Sequence, residues 1–141
     1  MTVPPTVTYH LDPATYDVLT DALEQHAAHL EQVTHESLFA PTAADREELH
    51  AEAARAEQLR DAIDSAQGAG HVTVALTPTT YGTLSAALAS YHADQMQEAE
   101  EVTQGRDDPE DGDPARQAAA TADRLHTQAI EAAQPTVHHS R

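Results

Sequence analysis

Cysteine is absent from these 141 residues, so disulfides and thiolate metal sites are excluded and the redox compartment stays open. Lysine and asparagine are absent as well. Both need A-rich codons, and a GC-rich genome accounts for the two absences more economically than function does. Aromatic residues make up only 4% of the chain, and the 40% apolar fraction is rich in alanine. The core is therefore expected to be thin, built from close-approaching Ala-rich helices with a few Leu, Val and Tyr anchors. No run of about 18 apolar residues occurs, and the first residues lack a basic-then-apolar leader, so the expectation is a cytoplasmic protein without a membrane span. Positive charge is the scarcest commodity: 7 Arg stand against 24 Asp and Glu, a formal net charge of −17. That balance favours solubility and repels nucleic acid and anionic membrane.

What the chain does contain, it writes twice. Val7-Thr8-Tyr9-His10-Leu11-Asp12-Pro13-Ala14-Thr15-Tyr16 recurs as Val72-Thr73-Val74-Ala75-Leu76-Thr77-Pro78-Thr79-Thr80-Tyr81, 65 positions later. At that shift residues 7–23 keep nine identities in seventeen. Val7, Tyr9 and Leu11 alternate with Thr8 and His10, the period of a short strand with one apolar face. Asp12 is then a strong N-cap, and Pro13 occupies the first helical position, where its missing N–H costs nothing. Leu11 and Tyr16 fall at the two positions of a hydrophobic staple. Leu76, Thr77, Pro78 and Tyr81 repeat the same grammar, so each copy predicts strand, sharp turn, helix.

Residues 1–6 read as a loose arm. From Pro13 a stripe of Tyr16, Leu19, Leu23, His26, Leu30 and Val33 predicts a long helix to about Leu38. Thr42 with Asp45 opens a second helix, whose inward residues are Leu49, Ala53, Ala56, Leu59 (or Arg60), Ile63 and Ala66, with Gly68 as its stop. The second unit has a strand over 71–76 and a helix from Pro78 carrying Tyr81, Leu84, Leu88, Tyr91 and Val102. Residues 105–114 are an acidic, breaker-rich loop. A fourth helix capped by Asp113 presents Ala119, Ala122, Leu125 and Ala129 and runs to about Gln134, leaving 135–141 frayed. The expected fold is mainly α: strand–helix–helix repeats over 7–68 and 69–134 form one domain, with four helices under a short two-stranded antiparallel ribbon and pseudo-twofold symmetry. A lone strand cannot satisfy its own backbone, which is why the two are expected to pair.

Val72-Thr73-Val74-Ala75-Leu76-Thr77-Pro78-Thr79-Thr80-Tyr81-Gly82-Thr83-Leu84 resembles the ribbon-helix-helix family, in which a V-T-V-x-L strand turns into an amphipathic helix. The resemblance covers about 17 residues per copy and implies two units interlocked through an antiparallel ribbon, here fused in one chain as a monomeric pseudo-dimer; a homodimer is the alternative. Family members read DNA with outward strand residues that are often Arg, Lys, Gln or Asn. The matching positions here are Thr8, His10, Thr73 and Ala75. None is a fixed cation, so sequence-specific DNA binding is not expected.

The histidines invite a metal reading: His26 and His29, Glu31 and His35, Glu47 with His50, and Asp123 with His126 have helical ligand spacing. The spacing shows no convergence of these pairs, and His26 reads as a buried polar side chain with one hydrogen bond. No metal or other cofactor is expected. The loop over 107–113 lacks the ordered spacing of a calcium-binding EF-hand. Ser37, Ser65, Ser85 and Ser90 lie in helical context without elbow glycines, so nucleophilic catalysis has no candidate.

The leading expectation is accordingly a non-enzymatic protein-binding or regulatory protein, plasmid- or phage-associated, whose partner carries a basic surface. Glu47, Glu48, Glu52 and Glu57 on the second helix, with Glu98, Glu100 and Glu101 on the third, are the candidate interaction residues. The alternatives are an acidic nucleic-acid mimic that inhibits a DNA- or RNA-handling protein, as anti-defence inhibitors do, and a ribbon-helix-helix DNA-binding regulator.

Overall fold

The computed structural model describes residues 4–35, 42–104 and 113–133. The elements run β1 (Thr6–His10), α1 (Pro13–His35), α2 (Ala43–Ala66), β2 (His71–Ala75), α3 (Pro78–Gln104) and α4 (Asp113–Ala133). The protein is mainly helical, with β1 and β2 forming a two-stranded antiparallel ribbon. Thr8 lies opposite Thr73, and their hydroxyls meet at 2.8 Å on the exposed face. The Leu11 N–H donates to the Gly70 carbonyl at 2.9 Å and the Leu76 N–H to the Pro5 carbonyl at 2.7 Å, extending the ladder at both ends. Period-two alternation sends Val7, Tyr9, Val72 and Val74 down onto the helices.

Both strand-to-helix turns are closed by the predicted caps. Asp12 accepts from the Thr15 N–H at 2.8 Å through its side chain and from the Tyr16 N–H at 2.9 Å through its carbonyl. The bonds from Thr15 hold the Asp12 carboxyl below its ordinary range. Thr77 does the same for α3, accepting from Thr80 at 3.2 Å and Tyr81 at 2.8 Å. Leu76 is buried, while Leu11, Tyr16 and Tyr81 are half-buried and pack against the core. Thr42 caps α2 by accepting from the Asp45 N–H at 3.0 Å.

α1 packs along α2, and α3 along α4. Leu19, Leu23, Ile63, Leu84, Leu88 and Leu125 fill the centre. Between them Ala22, Ala53, Ala56, Ala87, Ala119, Ala122 and Ala129 are buried, and side chains this small let the helix backbones approach closely. Tyr9 is the most buried of the strand residues, and its hydroxyl donates to the Leu125 carbonyl at 2.9 Å, tying β1 to α4. Burial pushes its phenol well above the usual range. Among the described residues no buried side-chain polar atom lacks a hydrogen-bond partner.

Two boundaries depart from expectation. α2 does not stop at Gly68; it tightens into a short 3-10 turn over Gln67–Ala69, and the left-handed residue is Gly70, with φ of 82° and its N–H bonded to Gln67 at 3.1 Å. Gly70 is where the chain must reverse into β2, so the conformation only glycine adopts cheaply falls there. β2 ends at Ala75 rather than at residue 76, because Leu76 is already entering the cap of α3. The predicted continuation of α1 to Leu38, the acidic loop over 105–112 and the segment from Gln134 lie outside the described residues, as does the Val102 side chain. No described helix is long and apolar enough to cross a membrane.

Candidate functional site

The acidic side chains separate into those engaged inside the fold and those facing outward. Glu52 belongs to the first group. Its carboxylate contacts His26 Nε2 at 3.0 Å and accepts from Arg55 at 2.8 and 3.1 Å and from the Thr83 hydroxyl at 2.9 Å. These contacts tie α1, α2 and α3 together. Burial alone would raise the Glu52 carboxyl; the hydrogen bonds from His26, Arg55 and Thr83 outweigh it and hold the group below the usual range. Glu52 is thus committed to the interior of the bundle, whereas Glu47, Glu48, Glu57, Glu98, Glu100 and Glu101 are exposed. Glu101 accepts from Gln97 at 3.2 Å, one turn back on α3.

The outward carboxylates gather on both flanks of α1. Between α1 and α2, Glu24, Glu31, Glu57 and Asp61 line a shallow groove of about 250 Å³ floored by Ala27 and Ala28. Its one cation, Arg60, is held by Glu24 at 2.7 Å and Asp61 at 3.2 Å. On the other flank, Asp17 and Asp21 stand one turn apart beside Tyr91 in a wider groove of about 650 Å³ against α4. Burial, followed by repulsion from Glu24 and Asp17, raises the Asp21 carboxyl. Burial raises the Tyr91 phenol too, helped by Asp21, Asp17 and Glu98.

Four of the five described arginines are engaged within the fold, and the fifth, Arg46, is exposed near the start of α2. Arg55 pairs with Glu52, Arg60 with Glu24 and Asp61, and Arg116 with Asp113. Arg124 donates to the Thr15 hydroxyl at 3.3 Å. Among the described residues no cation pairs with Asp17, Asp21, Glu31, Glu47, Glu48, Glu57, Glu98 or Glu100.

The helical histidine pairs disperse. His26 is taken by Glu52, while His29 and His50 are exposed. Among the described residues no group of three or more His, Asp or Glu side chains converges as a metal site. The His35 side chain, Ser37 and residues 107–112 lie outside the described residues. One pairing escaped sequence reading: Ser85 Oγ on α3 meets His126 Nε2 on α4 at 2.5 Å. Both lie inside helices, so the contact links α3 to α4. Its signal was positional: each residue flanks a core leucine, Leu84 for Ser85 and Leu125 for His126.

No protein-family model, curated protein or solved structure matches the chain.

Proposed function

We propose that the chain is a non-enzymatic regulatory protein that engages a basic surface of another protein through carboxylates on α2 and along both flanks of α1. The observation that carries this reading is the pattern of charge pairing. Arg55, Arg60 and Arg116 are held by acidic partners within the fold, and a larger set of outward carboxylates is left without a cation among the described residues. Such a surface excludes acidic partners and accelerates encounter with basic ones. The same charge disfavours duplex DNA, whose affinity for proteins comes largely from Lys and Arg at phosphates.

The architecture we infer is two strand–helix–helix repeats about a pseudo-twofold axis through the Thr8–Thr73 pair, in the manner of the ribbon-helix-helix family. Three spacings support it. Thr8 faces the residue 65 positions on, and the terminal ladder bonds, Leu11 to Gly70 and Leu76 to Pro5, exchange under the same shift of 65. The two caps, Asp12 and Thr77, are also separated by 65. One such unit uses its ribbon and helices as a dimer does, within a single chain.

The test is to isolate the partner on the tagged chain and measure its association rate at low and physiological salt. Replacing Glu47, Glu48 and Glu57 by Arg together should slow association and flatten its salt dependence. Unchanged rate and slope would reduce the acidic face to solvation. Glu52 is left intact because its reversal would break the His26–Arg55–Thr83 cluster.

A further inference from the structure

The exposed face of the ribbon carries one pair of side chains that neither the fold nor the acidic surface uses. His10 lies directly opposite His71 in the β1–β2 register, and both are exposed. The ladder's phase decides how close they come. The bonds from Leu11 to Gly70 and from Leu76 to Pro5 mark alternate pairs as the hydrogen-bonded ones. His10–His71 therefore falls in the non-hydrogen-bonded class, whose Cα atoms stand about 4.5 Å apart with side chains closest. The neighbouring pair of the same class shows the consequence, since Thr8 and Thr73 already meet hydroxyl to hydroxyl at 2.8 Å.

We propose that His10 and His71 form a two-imidazole site for a divalent transition-metal ion, with Cu²⁺ favoured over Ni²⁺ and Zn²⁺. Neutral imidazole nitrogens suit these ions, and metal–nitrogen distances near 2.0–2.1 Å require the two donors to lie about 3 Å apart, within reach of rings on such a pair. Among the described residues neither ring makes a hydrogen bond or ion pair. The net charge of −17 attracts cations to the whole surface. The ribbon itself does not need the histidines: the equivalent position at its other end pairs Thr6 with Ala75. With two protein donors the remaining coordination positions belong to water, so the ion is exchangeable and open to a further ligand.

The test uses the full chain with His138 and His139 replaced by alanine, which removes the adjacent C-terminal histidines as competitors. Cu²⁺ alone is titrated in, and its nitrogen hyperfine coupling is read by electron paramagnetic resonance at substoichiometric metal. The expected result is one tight equivalent with two nitrogen donors. His10→Ala and His71→Ala should each lose one nitrogen and weaken binding at least tenfold, with unchanged far-ultraviolet circular dichroism because both side chains are exposed. If either substitution leaves both the affinity and the two-nitrogen spectrum as they were, or if the parent chain shows no two-nitrogen species, the site does not exist.

Discussion

Tyr9 and Glu52 show what single side chains decide in a core this short of large residues. The Tyr9 hydroxyl is buried and donates to the Leu125 carbonyl inside α4. Tyr9→Phe should cost about 1 kcal/mol, the usual net value of one hydrogen bond, measured by urea unfolding. A second effect has a definite sign. Burial raises the folded-state pKa of Tyr9, so the unfolded chain gives up this proton first. Stability conferred by keeping the phenol neutral is full below about pH 10 and declines as pH rises past it, and Tyr9→Phe should flatten that alkaline decline. Glu52 works in the opposite direction. Its folded pKa is lowered, so its contribution is present above about pH 4.3 and is lost as pH falls through the lower folded value. Glu52→Gln should destabilise the protein at pH 7 and reduce the slope of stability between about pH 5 and 3. An unchanged acid limb would mean that other carboxylates carry it.

At the level of elements, the strands, caps and helix starts were legible because their causes are local. Alternation at 7–11 and 72–76, a cap at Asp12 or Thr77, and Pro at the next position each act within a few residues; the caps appear where expected, and the strands, Thr6–His10 and His71–Ala75, lie within one residue of the alternating stretches. Two features were not legible for a tertiary reason. The engagement of Glu52 by His26 and Thr83, and the Ser85–His126 contact, depend on how helices distant in sequence are rotated against each other. A stripe gives the facing side of a helix; it does not give which partner lies at its margin. The α2–β2 connection was misjudged by two residues, since Gly68 and Gly70 are equally plausible stops in sequence and only the path into β2 selects Gly70. This yields a paired prediction. A Cβ at either glycine meets nothing within 4 Å, so sterics with neighbours cancel and backbone conformation alone decides. Gly70→Ala, at φ of 82°, should destabilise by roughly 1–2 kcal/mol. Gly68→Ala, outside the left-handed region, should be neutral or stabilise by up to about 1 kcal/mol through the unfolded chain. Equal effects in thermal unfolding would move the reversal point away from Gly70.

For the whole molecule the dominant quantity is charge, and two effects of salt oppose each other. Screening weakens the ion pairs that Arg55, Arg60 and Arg116 make, which would destabilise the fold. Those pairs are at least partly exposed, and each such pair is worth about 0–1 kcal/mol before screening. Screening also relieves the mutual repulsion of a chain at −17, spread over carboxylates such as Asp17, Asp21, Glu24 and Glu31, each of which stands within about two turns of the next along α1. The raised Asp21 carboxyl is the local sign of that repulsion: burial raises it, and the charges of Glu24 and Asp17 raise it further. Repulsion summed over many like charges exceeds a few exposed pairs, so Tm should rise as salt increases from about 20 mM to 500 mM, over which the Debye length shrinks from above 10 Å to well below 8 Å. Replacing Glu47, Glu48 and Glu57 by Arg adds two charges at each of three sites and takes the net charge from −17 to −11. That variant should start with a higher Tm at low salt and gain less from added salt than the parent chain. A Tm that falls with salt in the parent would place the balance with the ion pairs, and the outward carboxylates would then exert no measurable strain on the fold.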